Sequence, residues 1–205
     1  MRHGSDGAAR GDRYTMSDAL ILDSLRRRMR AMHSLYEDAC ATMTIDQVNH
    51  VERDAVLPIA FSLFHYVNME DSAFPFITGG QAPTWNDEWA ARLDLAIEDH
   101  GKERTPEEMV AQRIGDFDAF IDYMNTVWAR TEAFLVDIDP TTLGDVLVPK
   151  PYPPMVANTY SARVGGDAGI TRLDAMECWW YQHGLRHMGE IEHARALVGL
   201  EGMTS

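Results

Sequence analysis

The chain has few cysteines, few basic residues and no long apolar run, and each shortage excludes a class of protein. Two cysteines in 205 residues, Cys40 and Cys178, are too few for a disulfide scaffold. We therefore expect reduced thiols and a cytoplasmic protein. The longest nearly apolar run, AVLPIAFSLF from Ala55, has about half of the roughly 20 residues that a bilayer-spanning helix needs, so no membrane span is expected.

Positive charge is scarce throughout the sequence. Lysine and arginine total 18 against 32 acidic residues, which gives a formal net charge of −14 at pH 7. Nucleic acids and anionic lipid surfaces attract basic patches, so we expect neither as a partner and a small-molecule substrate instead. The basic cluster RRRMR at Arg26–Arg30 lies beside acidic residues, and it is predicted to be the solvated face of a helix.

Length and composition fit a single folded domain. The chain is 45% hydrophobic, which is enough for a full core in a protein of this length. The polar start, residues 1–15, has no apolar stretch typical of a signal peptide, and it is predicted to be a disordered tail. Residues 16–205 are predicted to form the domain.

Four long segments have the hydrophobic spacing of amphipathic helices, and no series of alternating strands is visible. Start signals are Ser17, Pro58, the TPEE capping box at Thr105, and Thr171 with Asp174 three residues later. The predicted helices are 17–40, 57–74, 105–136 and 171–200, with a long Pro/Gly-rich loop at 137–169. This pattern predicts an all-α fold, a four-helix bundle.

The last predicted helix directs two histidines at its own apolar face. His183 and His187 are four residues apart, and Glu190 lies seven after the first, so at about 100° per residue all three share one stripe. An ionised carboxylate beside an apolar face is costly unless a cation meets it. A divalent metal ion would supply that cation. The apolar residues of the stripe are Met176, Trp180, Ile191, Ala194 and Val198.

The second predicted helix supplies a third inward histidine, His65, beside Phe61 and Met69. Three neutral imidazoles suit Zn, Ni, Fe or Cu rather than Mg or Ca. Three protein ligands also leave one coordination position for water or substrate, as in catalytic sites. Glu190 then has two candidate roles: it accepts a proton as general base, or it hydrogen-bonds a histidine from outside the metal site.

Other residues complete the predicted site or are placed away from it. Phe61, Asn68 and Trp180 are predicted to line a substrate pocket, although large apolar side chains are more often plain core.

Glu190 and His193 form an E-x-x-H pair, but a di-iron bundle needs a second such pair, and the sequence has none. The remaining histidines, His33, His50 and His100, show no partner pattern and are predicted for the surface or loops.

Two segments resemble the DinB-like superfamily. HGLRHMGEI at 183–191 is similar to its last-helix signature H-x-x-x-H-R-G-Q-I, and AFSLFHYVNMEDSAF at 60–74 to its second-helix histidine segment. The resemblance implies a four-helix bundle in the up-down-down-up arrangement. It also implies a divalent metal, Zn, Ni or Fe, held by His65, His183 and His187.

The same resemblance implies a reaction class. Members of the superfamily include thiol transferases that use bacillithiol and maleylpyruvate isomerases that use mycothiol, which implies a low-molecular-weight thiol as co-substrate. Met188 and Glu190 stand where the signature has Arg and Gln, and an acidic residue beside the metal disfavours an incoming thiolate and favours hydrolysis. The sequence therefore predicts a metal-dependent thiol transferase or hydrolase. The alternative is a non-catalytic bundle that binds a metal or small ligand as a homodimer.

Overall fold

The computed structural model describes residues 8–54 and 56–203, and these form a predominantly helical fold with two short strands. The prediction of an all-α fold is thus confirmed only in its coarser form, a mostly helical chain, because two short strands are present. The helices are α1 (Ala8–Ala41), α2 (Ile45–Val48), α3 (Ile59–Thr78), α4 (Asp87–Leu93), α5 (Pro106–Met109), α6 (Phe117–Asp137), α7 (Pro154–Ala157), α8 (Tyr160–Val164), α9 (Arg172–Ala175) and α10 (His183–Leu197). A π-helical segment, Met176–Gln182, joins α9 to α10. Within these ranges no helix is long and apolar enough to cross a membrane.

The first helix begins earlier than the sequence predicted. α1 starts at Ala8 instead of after an N-cap at Ser17, so residues 8–15 of the predicted tail are helical. Alanine and arginine at positions 8–10 are strong helix formers, which favours continuing the helix through Ser17. Residues 1–7 of the predicted tail lie outside the described residues. α3 begins next to Pro58, as predicted, but continues past Phe74 to Thr78.

The third predicted helix is two helices in the structure. The capping box of Thr105 and Glu108 forms as predicted, but it opens only the short α5. A second cap, Asp116 accepting from the backbone of Ala119, opens α6. Between them the chain pairs with the segment after α4, where the backbone NH of Ala96 donates to the carbonyl of Arg113. This tertiary pairing keeps the residues between α5 and α6 from forming a helix.

The long loop predicted at 137–169 contains regular structure. Strands β1 (Val146–Pro149) and β2 (Gly169–Thr171) form an antiparallel ribbon. Thr171 ends β2 and caps α9 through a capping box with Asp174, as predicted. The ribbon therefore fixes the start of the helical run that carries the last two site histidines.

His33 is fully buried, which corrects the prediction that it lies at the surface or in a loop. Its ring stacks on Trp128, with Nδ1 2.8 Å from Glu132 and Nε2 3.3 Å from Glu70. Burial opposes a charged ring, but the two carboxylates outweigh that effect and raise the pKa of His33 to about 9. The charged group links α1, α3 and α6 inside the core.

Gly184 of α10 packs closely against α1 and α3. A Cβ atom placed there would lie 2.3 Å from Met32 Sδ and 2.6 Å from Tyr66 Cζ. The Tyr66 ring is rigid and its hydroxyl is 2.5 Å from a carboxylate oxygen of Glu70, so it has little room to move. The Tyr36 hydroxyl donates to the Gly184 carbonyl at 2.8 Å. Glycine is therefore required for this contact.

We expect Gly184→Ala to lower the free energy of unfolding by about 1–2 kcal/mol, because overpacking outweighs the gain in helix propensity. Gly189→Ala is the matched control on the same helix. Its Cβ would meet nothing within 4 Å. This variant should be stabilised by about 0.5–1 kcal/mol. Urea unfolding midpoints measure both changes, and equal stabilisation of the two variants would contradict the close approach.

Candidate metal centre

The π-helical segment sets the direction in which the last helix presents its histidines. It ends at Gln182, directly before His183, and each π turn holds an extra residue compared with an α turn. From His183 onward the helix is α-helical, so His183 and His187 share a face, as predicted. Trp180 lies inside the π segment and is fully buried, in agreement with its place in the predicted core-facing stripe. π turns of this kind frequently occur at functional sites.

His65 on α3 meets His183 and His187 of α10 at one point. One ring nitrogen from each lies within 4.8 Å of the other two. The ring centroids are 4.8 Å apart for His65 and His187, 5.3 Å for His65 and His183, and 4.6 Å for His183 and His187. His65 and His187 are buried and His183 is half-buried. The three rings form a group that can hold a metal ion.

Outward hydrogen bonds fix the tautomers of two of these rings. His65 Nδ1 is hydrogen-bonded to the backbone carbonyl of His100, which only accepts, so Nδ1 carries the proton and Nε2 is bare. His187 Nδ1 lies 2.7 Å from Glu190 Oε2 and donates to it in the same way. In the neutral form of each ring Nε2 is then the unprotonated nitrogen, and metal-binding histidines commonly have this arrangement.

The contact between the two α10 histidines also fits a cation. Nε2 of His183 and Nε2 of His187 are 3.0 Å apart. Without metal, one of these two Nε2 atoms must carry a proton that it donates to the other, since two lone pairs facing each other would repel. A metal ion replaces that proton, and two imidazole nitrogens on one tetrahedral metal lie about 3.3 Å apart. The donor set and spacing therefore fit a divalent transition metal.

Burial keeps two of the rings neutral. It lowers the pKa of His65 to about 4, with a further decrease from His187, although the His100 carbonyl opposes the change. Burial likewise lowers the pKa of His183 to about 2, and the charges of His187, His65, Arg186 and Lys102 add to the effect. Metal ligation requires rings in the neutral form, and His65 and His183 are already neutral at pH 7.

Glu190 contacts His187 and Ser62 at the edge of the site. Its Oε2 atom accepts from His187 Nδ1 and, at 3.1 Å, from the Ser62 hydroxyl. Partial burial opposes its charge, but these hydrogen bonds hold the pKa of Glu190 below its usual range, so the carboxylate is ionised at neutral pH. The hydrogen bond between Glu190 and His187 Nδ1 lies on the side of the His187 ring that faces away from the other two rings.

The predicted pocket residues are divided between this site and the core. Phe61 stacks on His65 with 5.4 Å between ring centroids, so the structure brings it to the site. Asn68 instead donates to the Tyr123 hydroxyl at 3.2 Å, inside the core. Trp180 is fully buried, donates to the backbone carbonyl of Glu70 and packs on Phe74. The structure does not bring Asn68 or Trp180 to the histidines.

Residues that the sequence prediction left out also contact the site. His100 lies in the loop after α4, and its carbonyl orients His65. Gly101 follows with φ +74, and a Cβ there would lie 2.6 Å from the Phe61 ring. In the sequence, the His-Gly dipeptide beside Lys102 indicates this turn. The sequence does not indicate that the turn contacts α3, because that contact is tertiary.

Comparisons with known proteins identify the fold but not the family. No protein-family model matches the chain, and no curated protein matches it either. Among solved structures, the chain is similar to the crystal structure of a conserved protein from Enterococcus faecalis. The two share 19% sequence identity with a TM-score of 0.68, over 86% of this chain and 96% of the other. At this identity the similarity shows a shared fold.

Without metal, we expect stability to fall as the pH drops from about 6.5 towards about 4, because the unfolded chain takes up protons that folded His65 and His183 do not. Because folding lowers the pKa of each histidine, its contribution to stability is present above the pKa of the unfolded chain. That contribution is lost as the pH falls from there towards the folded pKa. His65→Gln should make the slope shallower. His50→Gln, at an exposed histidine, should leave it unchanged. Chemical unfolding across this pH range tests the expectation, and identical slopes in all three proteins would contradict it.

Proposed function

We propose that this chain is a divalent-metal-binding protein of the DinB-like superfamily, with its long helices in the up-down-down-up bundle of that family. One observation carries the proposal. Three imidazoles from α3 and α10 meet at one buried point, with two of them held by outward Nδ1 bonds that leave Nε2 free. The sequence segments at 60–74 and 183–191 and the shared fold agree with it.

We further propose that the centre is catalytic, with a small molecule as substrate. Three protein ligands leave a coordination position open, which distinguishes catalytic from structural zinc sites. A Zn, Ni or Fe ion bound there lowers the pKa of a water or thiol that it binds. The candidate reactions are therefore hydrolysis and transfer to a low-molecular-weight thiol. Phe61 covers one side of His65 and limits access of bulk water to that ring.

Glu190 is proposed to be a positioning residue and not a general base. Its Oε2 atom is occupied by His187 Nδ1 and the Ser62 hydroxyl, on the outer side of the His187 ring. From there it fixes the tautomer of His187 and makes Nε2 a better electron donor. Of the two roles predicted from the sequence for Glu190, these contacts favour hydrogen bonding to a histidine.

Elemental analysis of native protein purified without a His tag tests the centre. We expect about one metal ion per chain, and loss of that metal in His65→Ala and His183→Ala. His50→Ala controls for removal of a histidine elsewhere. Native protein that holds no metal and takes up none on reconstitution would overturn the proposal. Fully metallated protein that neither hydrolyses esters or amides nor transfers electrophiles to mycothiol or bacillithiol would favour the non-catalytic alternative.

Metal affinity separates the two roles of Glu190. We expect Glu190→Ala to weaken metal binding about 10–100-fold, because His187 loses its orienting partner. Glu190→Gln should recover most of the affinity, since an amide oxygen still accepts from Nδ1. Glu192→Gln, two residues along the same helix, is the control. Competition with a fluorescent chelator measures the affinities. Unchanged affinity in Glu190→Ala would exclude the positioning role.

A further inference from the structure

Two positive side chains beside the three-histidine centre have no ion-pair partner in the part of the chain that the structure describes. They are Lys102 and Arg186, and both are exposed. Among the described residues seven other cations form ion pairs, whereas exposed Arg53, Lys150 and Arg163 form none. Examples of the ion pairs are Arg28 with Glu177, Arg30 with Glu37, Arg92 with Asp122 and Arg104 with Asp99.

Backbone contacts place Lys102 at the rim of the centre. It follows His100, whose carbonyl holds His65, and Gly101, whose backbone packs on the Phe61 ring. The backbone NH of Lys102 also donates to Nδ1 of His100 at 3.1 Å. The loop is thus anchored on both sides of this residue, and its side chain starts next to the site. Lys102 is one of two lysines in the whole chain; the other is Lys150.

Arg186 lies on α10 beside two of the histidines. It is three residues after His183 and directly before His187, so it is within one turn of both. Its charge and that of Lys102 both act on His183, the least buried of the three rings. Both cations therefore lie near the ring that is most open to solvent.

The charge balance at this rim differs from that of the molecule. The chain carries a net charge of −14, which repels anions at long range. At the centre, Lys102 and Arg186 stand near Glu190, whose oxygen is already hydrogen-bonded by His187 and Ser62 and whose charge Arg186 also attracts. The carboxylate of Asp99, in the loop of Lys102, is ion-paired with Arg104. Local positive charge in an acidic protein focuses anions at one place on its surface.

We propose that the molecule that takes the open coordination position carries a carboxylate, which Lys102 and Arg186 bind while its reactive group faces the histidines. This inference rests on the proposed metal centre and adds the class of its ligand. Arginine pairs with a carboxylate through two parallel hydrogen bonds, and lysine adds a mobile point charge. Together they select small acids over neutral analogues of the same length.

The test uses protein loaded with Co²⁺ and two thiols of equal length, 3-mercaptopropionate and its neutral amide. Sulfur-to-cobalt charge-transfer absorption reports binding of each thiol at the metal. Partly exposed ion pairs contribute about 0.2–1 kcal/mol each. For two cations we therefore expect the carboxylate to bind roughly twofold to thirtyfold more tightly than the amide, and the preference to decline with added salt.

Variants assign the preference to the two cations. Lys102→Gln and Arg186→Gln should each reduce the ratio of the two dissociation constants, and the double variant should bring it close to one. Binding of the neutral amide should stay the same in all of them. Lys150→Gln is the matched control, because it removes the other lysine, which lies over the Tyr152 ring.

The outcomes separate this inference from the metal centre itself. Protein that takes up no Co²⁺ overturns both. Protein that takes up one Co²⁺ but binds the two thiols equally, or binds neither, overturns the carboxylate inference and leaves the metal centre standing. A preference that survives in the double variant also overturns it, because the metal alone would then account for the selection. A preference lost in the double variant and kept in Lys150→Gln supports it.

Discussion

Three imidazoles crowded at one point, two of them kept neutral by burial, are the constraint on which the rest of this structure depends. Burial removes the option of charging His65 and His183, since it lowers both pKa values far below neutrality. The outward bonds to the His100 carbonyl and Glu190 then remove the choice of tautomer. What remains is a group of three ring nitrogens within 4.8 Å of one another, which one metal ion can bind together.

The surrounding core holds this arrangement in place through a chain of buried contacts. Charged His33 lies between Glu132 and Glu70, and Glu70 accepts from the Tyr66 hydroxyl. The Tyr66 ring packs against Gly184 and lies 5.9 Å from the ring of His183. Helices α1, α3, α6 and α10 are thereby connected at the level of the centre. Packed and hydrogen-bonded supports of this kind keep ligands in place before a metal arrives.

Sequence patterns predicted the parts of the site that depend on local geometry. His183, His187 and Glu190 lie in regular α-helix, so their spacing alone placed them on one face. Trp180 faces the core, as predicted, although it lies in a π-helical segment that interrupts the α-helical period just before His183. The surface prediction for His33 was wrong, because the carboxylates that stabilise it come from two other helices. The position of Lys102 beside the site and the break before α6 also depend on tertiary contacts. The periodicity of hydrophobic residues does not predict such contacts.

X-ray absorption at the edge of the bound metal tests the central claim most directly, because it counts and identifies the ligand atoms. The account predicts three imidazole nitrogens at about 2.0–2.1 Å with an additional light-atom ligand, for a zinc-loaded protein. It also predicts that one imidazole contribution disappears in His65→Ala. Sulfur in the metal's coordination shell, or fewer than three imidazoles in the native protein, would contradict it.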